Sequence, residues 1–355
     1  MERQIWKELP EELREAVLAR LPMATVFRFR VVCRKWNSLL TSHRFWKQFE
    51  ELQLSWPWIY AVDNHERVRA VYDPSVRMWH RCTTIRGVPD VFFCPVASAG
   101  GLVCLIDVRL RRYYVGNPLT QSFKELPVSG DIPSYVAVGM TLNWGLTSGG
   151  YKILQVDLHG NYEVYDSIEN SWTPGSIPFN VMMNLTRRHG WTQTVSIGDT
   201  IYFRSSCPQG IVSYNAETRV WQQFTVPTPS HLGSDWSVIA ECAGKIMLVG
   251  LLIDENDASP CVCIWELQKV TLSWKEVDRM PEKFHEKLTY MFCFGNKGLV
   301  FLYVPSRPIN RLVAYNLLTR EWVEVPSCVL PGESEHRRLG CGVAFHPCPA
   351  AQLNL

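Results

Sequence analysis

Histidine is the residue type in this sequence that could most readily support metal chemistry, yet its distribution does not favour a catalytic centre. Six of the 9 His fall in segments that look like long loops, no two in the same segment: His65, His159, His189, His231, His285 and His336. A metal-dependent oxidase needs several imidazoles converging on one ion. No nucleophile elbow or phosphate-binding loop is present, and His65-Glu66 and His285-Glu286 lack the second His of a zinc-protease motif. We therefore expect no catalytic residue, no metal and no cofactor, with a metal oxidase as an alternative.

The composition indicates a well-packed globular chain without a large excess of positive or negative charge. Of the 355 residues 46% are hydrophobic and 20% are charged, and the formal net charge is +2, which does not favour nucleic-acid binding. The 12 Cys form no CxxC pair, so we expect a reducing compartment and no disulfides. Residues 1–10 lack the apolar core of a signal peptide, and the long uncharged stretches are interrupted by Gly and Pro. These features predict a location in the cytoplasm and/or nucleus and no membrane partner.

The first fifty residues show helical periodicity, whereas the rest of the chain is strand-like. Pro10 followed by Glu11 and Glu12 favours a helix start, because proline fits the first turn and acidic groups complement the helix dipole. Between Glu12 and Pro22 apolar residues recur at helical spacing, and two further helical segments follow. Three short helices cannot bury this much apolar surface by themselves. The surplus predicts either a docking face for a partner or packing of the helices on the rest of the chain.

This helical region resembles an F-box over residues 8–49. The resemblance lies in Leu9-Pro10, in Leu21-Pro22 and in the run from Val32 to Trp36, which has Val, Cys and Trp at the F-box spacing. F-boxes bind the Skp1 adaptor of cullin–RING ubiquitin ligases, so the resemblance implies these partners. It assigns the Skp1 contact to Leu9, Pro10, Leu13, Val17, Leu18, Leu21, Pro22, Val26, Val32, Cys33 and Trp36. Some of these side chains, Trp36 above all, can instead hold the helices together.

Residues 57–346 contain a repeat whose marker is an aromatic residue, then Asp, Asn or Glu, with a Trp seven residues after the aromatic. The six copies are Tyr72 to Trp79, a degenerate Gly116 to Phe123, Tyr165 to Trp172, Tyr214 to Trp221, a looser Trp265 to Trp274, and Tyr315 to Trp322. They start 44, 49, 49, 51 and 50 residues apart. Asp or Asn caps a tight turn with its own side chain, and Trp offers a large surface for packing between repeats. Each marker follows two strands around a Gly turn, so each repeat predicts four antiparallel strands, a to d.

A period near fifty resembles that of kelch repeats, each of which forms one blade of a β-propeller. The matches at Tyr151–Leu154, Glu163–Ser167 and Asn170–Trp172 make the whole chain resemble the plant F-box/kelch-repeat family. The resemblance implies a small N-terminal all-α F-box followed by an all-β kelch-type propeller, and six markers predict six blades. The first blade lacks strand a, so we expect Gly340–Phe345 to pair with Trp58–Val62 and close the ring. The predicted domains are the F-box 1–50, a linker 51–56, the propeller 57–347 and a tail 348–355.

The predicted strand order gathers the b–c and d–a connections on one face of the propeller, which we call the long-loop face. It includes the segments 107–112 and 178–190, and the F-box joins the opposite face. We predict a substrate site around the channel mouth on the long-loop face, formed by Phe92, Tyr135, Trp191, Trp236, Tyr290, Arg111, Arg112, Arg187, Arg188, Arg311, Arg337 and Arg338. Aromatic anchors ringed by Arg are typical of protein-binding hot spots and suit an acidic or phosphorylated segment. Packing of the aromatics between blades, and a solvated Arg rim, are the alternatives.

The family resemblance thus implies the substrate-recognition subunit of an SCF (Skp1–cullin–F-box) E3 ubiquitin ligase. In this role the F-box binds Skp1, and the propeller presents an unidentified protein substrate for ubiquitination and degradation. The chain itself would be a non-catalytic adaptor. Two alternatives stay open: an F-box scaffold or transcriptional cofactor without substrate turnover, and a kelch-type metal oxidase.

Overall fold

The structure, a computed structural model, has a helical N-terminal region followed by six four-stranded sheets. It describes residues 10–21, 23–52, 56–63, 68–82, 93–107, 109–130, 135–143, 150–157, 159–181, 193–252, 261–284, 292–304, 311–330, 341–348 and 351. The helices in these ranges are α1 (Glu11–Leu18), α2 (Met23–Arg30), α3 (Arg34–Leu40) and α4 (His43–Leu52), with a 3₁₀ turn at Glu282–Phe284. Within the same ranges, no helix has the length and apolar character needed to cross a membrane.

The third predicted helix is in fact two helices, α3 and α4, which are separated at Thr41 and Ser42. The Ser42 hydroxyl accepts a hydrogen bond from the Phe45 N–H at 3.2 Å, which caps the start of α4. The Thr41 hydroxyl instead donates to the Asn37 carbonyl at 2.7 Å at the end of α3. Hydroxyl side chains at these positions compete with the continuing helix for backbone groups, so the chain turns here.

Six blades account for all the strands of the described residues. Blade 1 consists of β24 (Cys341–Phe345), β1 (Trp58–Asp63), β2 (Val68–Asp73) and β3 (Met78–Cys82); blade 2 of β4 (Phe93–Ala99), β5 (Leu102–Asp107), β6 (Arg112–Asn117) and β7 (Ser122–Glu125); and blade 3 of β8 (Tyr135–Asn143), β9 (Gly150–Asp157), β10 (Asn161–Asp166) and β11 (Ser171–Ser176). Blade 4 consists of β12 (Thr194–Ile197), β13 (Thr200–Ser206), β14 (Gln209–Asn215) and β15 (Trp221–Thr225); blade 5 of β16 (Leu232–Cys242), β17 (Lys245–Leu252), β18 (Cys261–Gln268) and β19 (Ser273–Arg279); and blade 6 of β20 (Phe292–Asn296), β21 (Leu299–Val304), β22 (Arg311–Asn316) and β23 (Glu321–Val325).

The ring is closed within blade 1 by the strand from the far end of the chain. β24 pairs antiparallel with β1, placing Phe345 opposite Trp58 and Cys341 opposite Val62. The first strands of neighbouring blades contact one another in a complete circuit from β24 through β4, β8, β12, β16 and β20 back to β24. The predicted six-blade propeller and its closure by the C-terminal strand are therefore confirmed.

The repeat marker forms the c–d turn of each blade. Tyr72 lies directly opposite Trp79 in the pairing of β2 and β3, and their ring centroids are 5.2 Å apart. The Asp73 carboxylate accepts the Ser75 N–H at 2.8 Å, which is the predicted cap of the turn. The indole N–H of Trp79 donates to the Pro326 carbonyl at 2.7 Å, and this bond ties blade 1 to the chain leaving blade 6. In blade 1 the marker therefore both turns the chain and links the blade to blade 6.

The helical region is not separate from the propeller. Buried side chains of α4, among them Trp46 and Phe49, belong to the same continuous hydrophobic cluster as Trp58 and Tyr60 of blade 1 and Tyr114 of blade 2. Helices and propeller thus share apolar packing at the point where the chain passes from one region to the other.

Candidate functional site

The helical region exposes large apolar side chains that no other part of the described chain covers. Leu13 is 54% exposed and lies one turn before Val17 on α1, and Val31 is 87% exposed and adjoins Val32 in the turn after α2. We call these four residues the apolar helix face. Four exposed aliphatic side chains on such a short region are typical of a surface that a partner covers.

The residues predicted to contact Skp1 divide according to burial. Leu13, Val17 and Val32 lie on the apolar helix face, and Pro10 and Cys33 are also exposed. Leu9 and Pro22 lie outside the described residues.

Two of these eleven assignments need correction. Leu18 and Val26 are almost completely buried in the core of the helical region, so they have no surface to offer a partner and instead pack the helices together. Leu21 and Trp36 are half-buried against the same cluster, and the Trp36 ring packs edge-on against Phe29 at 5.0 Å.

Different charges flank the two parts of the apolar helix face, with exposed Glu11 and Glu12 just before Leu13 and basic groups near Val31 and Val32. Arg28, Arg34 and Lys35 are exposed in the segments just before and after Val31 and Val32. Val31 was not among the predicted site residues, although it is the most exposed of the four. The chemistry of this surface is therefore apolar contact with basic groups near Val31 and Val32, where it suits a partner that carries acidic groups beside an apolar patch.

The predicted aromatic collar lies largely outside the described residues. Phe92, Trp191 and Tyr290 are outside them altogether, and Tyr135 and Trp236 are described only as backbone in β8 and β16. The collar therefore remains a prediction.

Three of the predicted arginines are described, and two of these pair with a carboxylate on the neighbouring strand. Arg311 makes two hydrogen bonds to Glu324, at 2.8 and 2.7 Å, and this bonding lowers the pKa of the Glu324 carboxyl below its ordinary value. Arg112 donates to Glu125 at 2.6 Å, and Arg111 is exposed at the end of a turn. Arg187, Arg188, Arg337 and Arg338 lie outside the described residues.

One segment predicted to be a long loop is a tight turn. β5 ends at Asp107 and β6 begins at Arg112, and these two residues are paired across the strands. The Asp107 carboxylate accepts the N–H groups of Arg109 and Leu110 at 2.8 and 3.0 Å, which closes the turn. This cap was not predicted, because Asp107 lies outside the marker turns in which Asp and Asn caps were expected.

A central cavity of about 390 Å³ is lined by the first strands of all six blades. Glu241 and Lys297 lie at the end nearest the a–b turns, and the Glu241 carboxylate accepts the backbone N–H groups of Gly244 (2.7 Å) and Lys297 (3.1 Å). Burial raises the pKa of Glu241 despite these two donors. No motif pointed to these two residues, because they converge only when blades 5 and 6 pack side by side.

The histidines do not form a metal centre in the part of the chain that is described. His159 and His231 are exposed on separate blades, and His65, His189, His285 and His336 lie outside the described residues. Across the described ranges, no group of three or more His, Cys, Asp or Glu is arranged to hold a metal ion.

Comparison with known proteins agrees with the two-part architecture. The family model for the F-box domain matches residues 6–48, which contain most of the helical region. F-box only protein 6 of Arabidopsis thaliana is 48% identical over 362 residues, covering 99% of this chain and 76% of that protein. Protein UNUSUAL FLORAL ORGANS of Arabidopsis thaliana is 23% identical over 366 residues, covering 94% of this chain and 81% of that protein.

A third relative carries the propeller repeat in its name. F-box/kelch-repeat protein At3g61590 of Arabidopsis thaliana is 24% identical over 345 residues, covering 88% of this chain and 82% of that protein. The alignments with these relatives span both the helical region and the propeller of this chain. The chain belongs to the plant F-box/kelch-repeat family.

Proposed function

We propose that this protein is the substrate-recognition subunit of an SCF-type E3 ubiquitin ligase. The observation that supports this proposal most is the apolar helix face, which lies within the F-box match and is exposed in the described part of the chain. An F-box followed by a propeller fits a substrate receptor in general. The finer claims are that the F-box binds a Skp1-like adaptor, that the long-loop face binds the substrate, and that the chain is not itself an enzyme.

The adaptor contact is tested by charge insertion on the apolar helix face. We expect Leu13→Glu with Val17→Glu to abolish co-purification with a plant Skp1-like adaptor, because both carboxylates would be desolvated in the interface. The matched control is Val270→Glu with Leu318→Glu, which changes two exposed aliphatic residues of the propeller. Equal adaptor recovery with both double variants would refute the assignment of this face.

Two exposed cysteines offer a second test without any substitution. Cys33 lies next to Val32 on the F-box, whereas Cys207 lies in a turn of blade 4, and both side chains are exposed. We expect the adaptor to protect Cys33 from alkylation and to leave Cys207 reactive, as read by mass spectrometry of the peptides. Undiminished labelling of Cys33 in a stable complex would place the adaptor elsewhere.

Ubiquitin transfer separates a substrate receptor from a scaffold or transcriptional cofactor. A ligase reconstituted with this chain, a Skp1-like adaptor and a cullin–RING module should ubiquitinate a partner that binds the propeller. A partner that binds in the same ligase without becoming ubiquitinated would instead support the scaffold or cofactor role.

A further inference from the structure

One corner of blade 2 carries exposed charge and exposed apolar side chains together. It comprises Arg109, Leu110, Arg111, Arg112 and Val128, and we call it the blade 2 corner. Leu110 is 55% exposed and Val128 is 75% exposed, and all three arginines are exposed. Because the turn joins strands b and c, it lies on the long-loop face, at the opposite end of the blade from the c–d turn. This corner therefore faces away from the strand end where the F-box joins the propeller.

The turn that presents these arginines is fixed before any partner binds. The buried Asp107 carboxylate bonds the N–H groups of Arg109 and Leu110, and Arg111 adopts a left-handed conformation with φ 55°. A turn whose backbone is already ordered loses less conformational entropy on binding.

The chain that carries Val128 is held beside this turn. The Leu126 N–H donates to the Tyr113 carbonyl at 2.9 Å, which extends the β6–β7 pairing past the end of β7 toward the turn. The Trp172 indole N–H donates to the Pro127 carbonyl at 2.8 Å and anchors the same segment on blade 3. Val128 is consequently an exposed apolar residue on a fixed segment next to the arginines.

The b–c connection of blade 2 is the most basic of the six, since it contains Arg109 and Arg111. The connections of blades 3 and 4 contain no Lys, Arg, Asp or Glu, and that of blade 5 contains only acidic charges. The connection of blade 1 has one Glu and one Arg, and that of blade 6 has one Arg. The Asp107 carboxylate is buried and bonded to the backbone of the corner, and Glu125 pairs with Arg112. The b–c connection of blade 2 therefore carries more basic residues than the b–c connection of any other blade.

We propose that the blade 2 corner binds an acidic segment of the protein substrate, with carboxylates on the guanidinium groups and an apolar side chain on Leu110 and Val128. The proposal rests on the proposed function, since it names the chemistry of the substrate that the long-loop face takes. Carboxylates suit the corner better than phosphate groups do. Two N–H groups of the turn are already bonded to Asp107, so they cannot form a backbone nest for phosphate, and Arg112 already binds a carboxylate.

The test compares exposed arginines on opposite faces, of which Arg111 shares the left-handed backbone conformation of the two controls. Arg219 and Arg320 are exposed, have φ 59° and 56°, and lie in the c–d turns of blades 4 and 6. The full chain is titrated against a fluorescent peptide of Asp and Glu around a central Leu. We expect Arg109→Glu with Arg111→Glu to weaken binding by about tenfold, since two charge-assisted contacts are reversed, and Arg219→Glu with Arg320→Glu to change it by less than about twofold.

Two further peptides and one control decide the remaining outcomes. In the first of these peptides, Asn and Gln replace Asp and Glu. The proposal is overturned if this peptide binds as tightly as the acidic one, or if both double variants weaken binding of the acidic peptide equally. Binding of a phosphoserine version alone would overturn the choice of carboxylates. The Arg109→Glu, Arg111→Glu variant should still co-purify with the Skp1-like adaptor. If wild-type protein fails to bind the adaptor, the proposed function fails, whatever the peptides show.

Discussion

The F-box and the propeller bury their apolar residues in different ways. In the propeller, strands such as β5 and β21 are buried along their whole length, because both sheet faces are covered by neighbouring blades. In the F-box, the buried side chains of α4 lie against the propeller while the apolar helix face points outward. In a closed ring every blade is covered by its neighbours, whereas four short helices cannot cover all of their apolar side chains, so part of this apolar surface stays exposed.

The comparison also shows how one repeat unit acquires different tasks. An Asp or Asn side chain caps the c–d turn in blades 1, 2, 3, 4 and 6. In blade 2 the amide of the capping residue, Asn117, also reaches the chain after β24. Its Nδ2 donates to the carbonyls of Cys348 and Ala351 at 2.8 and 3.2 Å. The segment that follows the closing strand is thereby fastened to the next blade. Differences among repeats, rather than the repeat itself, mark the places with an additional role.

The largest effect should come from opening the ring. Deleting residues 339–355 removes β24 and leaves β1 without its inner partner, so we expect insoluble protein or a large loss of thermal stability, measured by solubility and thermal unfolding. Deleting residues 352–355 alone retains every described residue and serves as the control. A shortened protein without β24 that melts like the full chain would show that closure is not what stabilises the propeller.

A pair of truncations contrasts the two regions directly. Leu302 is completely buried in blade 6, so Leu302→Ala should lower the free energy of unfolding by about 2–5 kcal/mol. Val32 on the apolar helix face is exposed, so Val32→Ala should change it by less than about 0.5 kcal/mol. Urea unfolding measures both. A comparable loss from Val32→Ala would mean that the helix face belongs to the core of the protein.

Two Asn-to-Asp changes test whether the hydrogen bonds from the blade 2 turn to the C-terminal segment stabilise the protein. Asn117→Asp keeps the acceptor that caps the Leu119 N–H but removes both bonds to the C-terminal segment, a loss of about 1–3 kcal/mol in the free energy of unfolding. Asn316 caps the Leu318 N–H in the same way in blade 6, so Asn316→Asp should cost less than about 0.5 kcal/mol. Equal losses of stability from the two changes, measured by thermal unfolding, would show that the bonds from Asn117 to the C-terminal segment do not stabilise the protein.

The smallest expected difference concerns the marker tryptophans. Trp79→Phe loses the indole bond to Pro326, whereas the buried indole N–H of Trp322 has no hydrogen-bond partner among the described residues. Beyond the shared cost of the smaller ring, Trp79→Phe should therefore lose about 0.5–1.5 kcal/mol more than Trp322→Phe. Paired denaturation curves give the difference. The reverse order would show that the inter-blade bond contributes nothing.

Much of the fold could be predicted because its signals are local. The period of the Tyr and Trp markers gave the number of blades, and counting strands showed that the first blade needed one from the end of the chain. The error at Thr41 and Ser42 arose because apolar spacing continues across two hydroxyl residues that break the helix. The error at 107–112 arose because segment length was read without the Asp107 side chain that closes the turn.

The sequence by itself determined the F-box, the six repeats and the closing strand, since these follow from residue types at fixed spacing. Only the tertiary structure decided which apolar residues are available to a partner. Val17 and Leu18 are neighbours of similar character on α1, yet one is exposed and the other buried. Leu119 and Leu318 occupy similar turns, yet Leu119 packs against the cluster shared with the F-box while Leu318 stays exposed. Exposure depends on which distant segment packs against a residue, and spacing along the chain does not encode that contact.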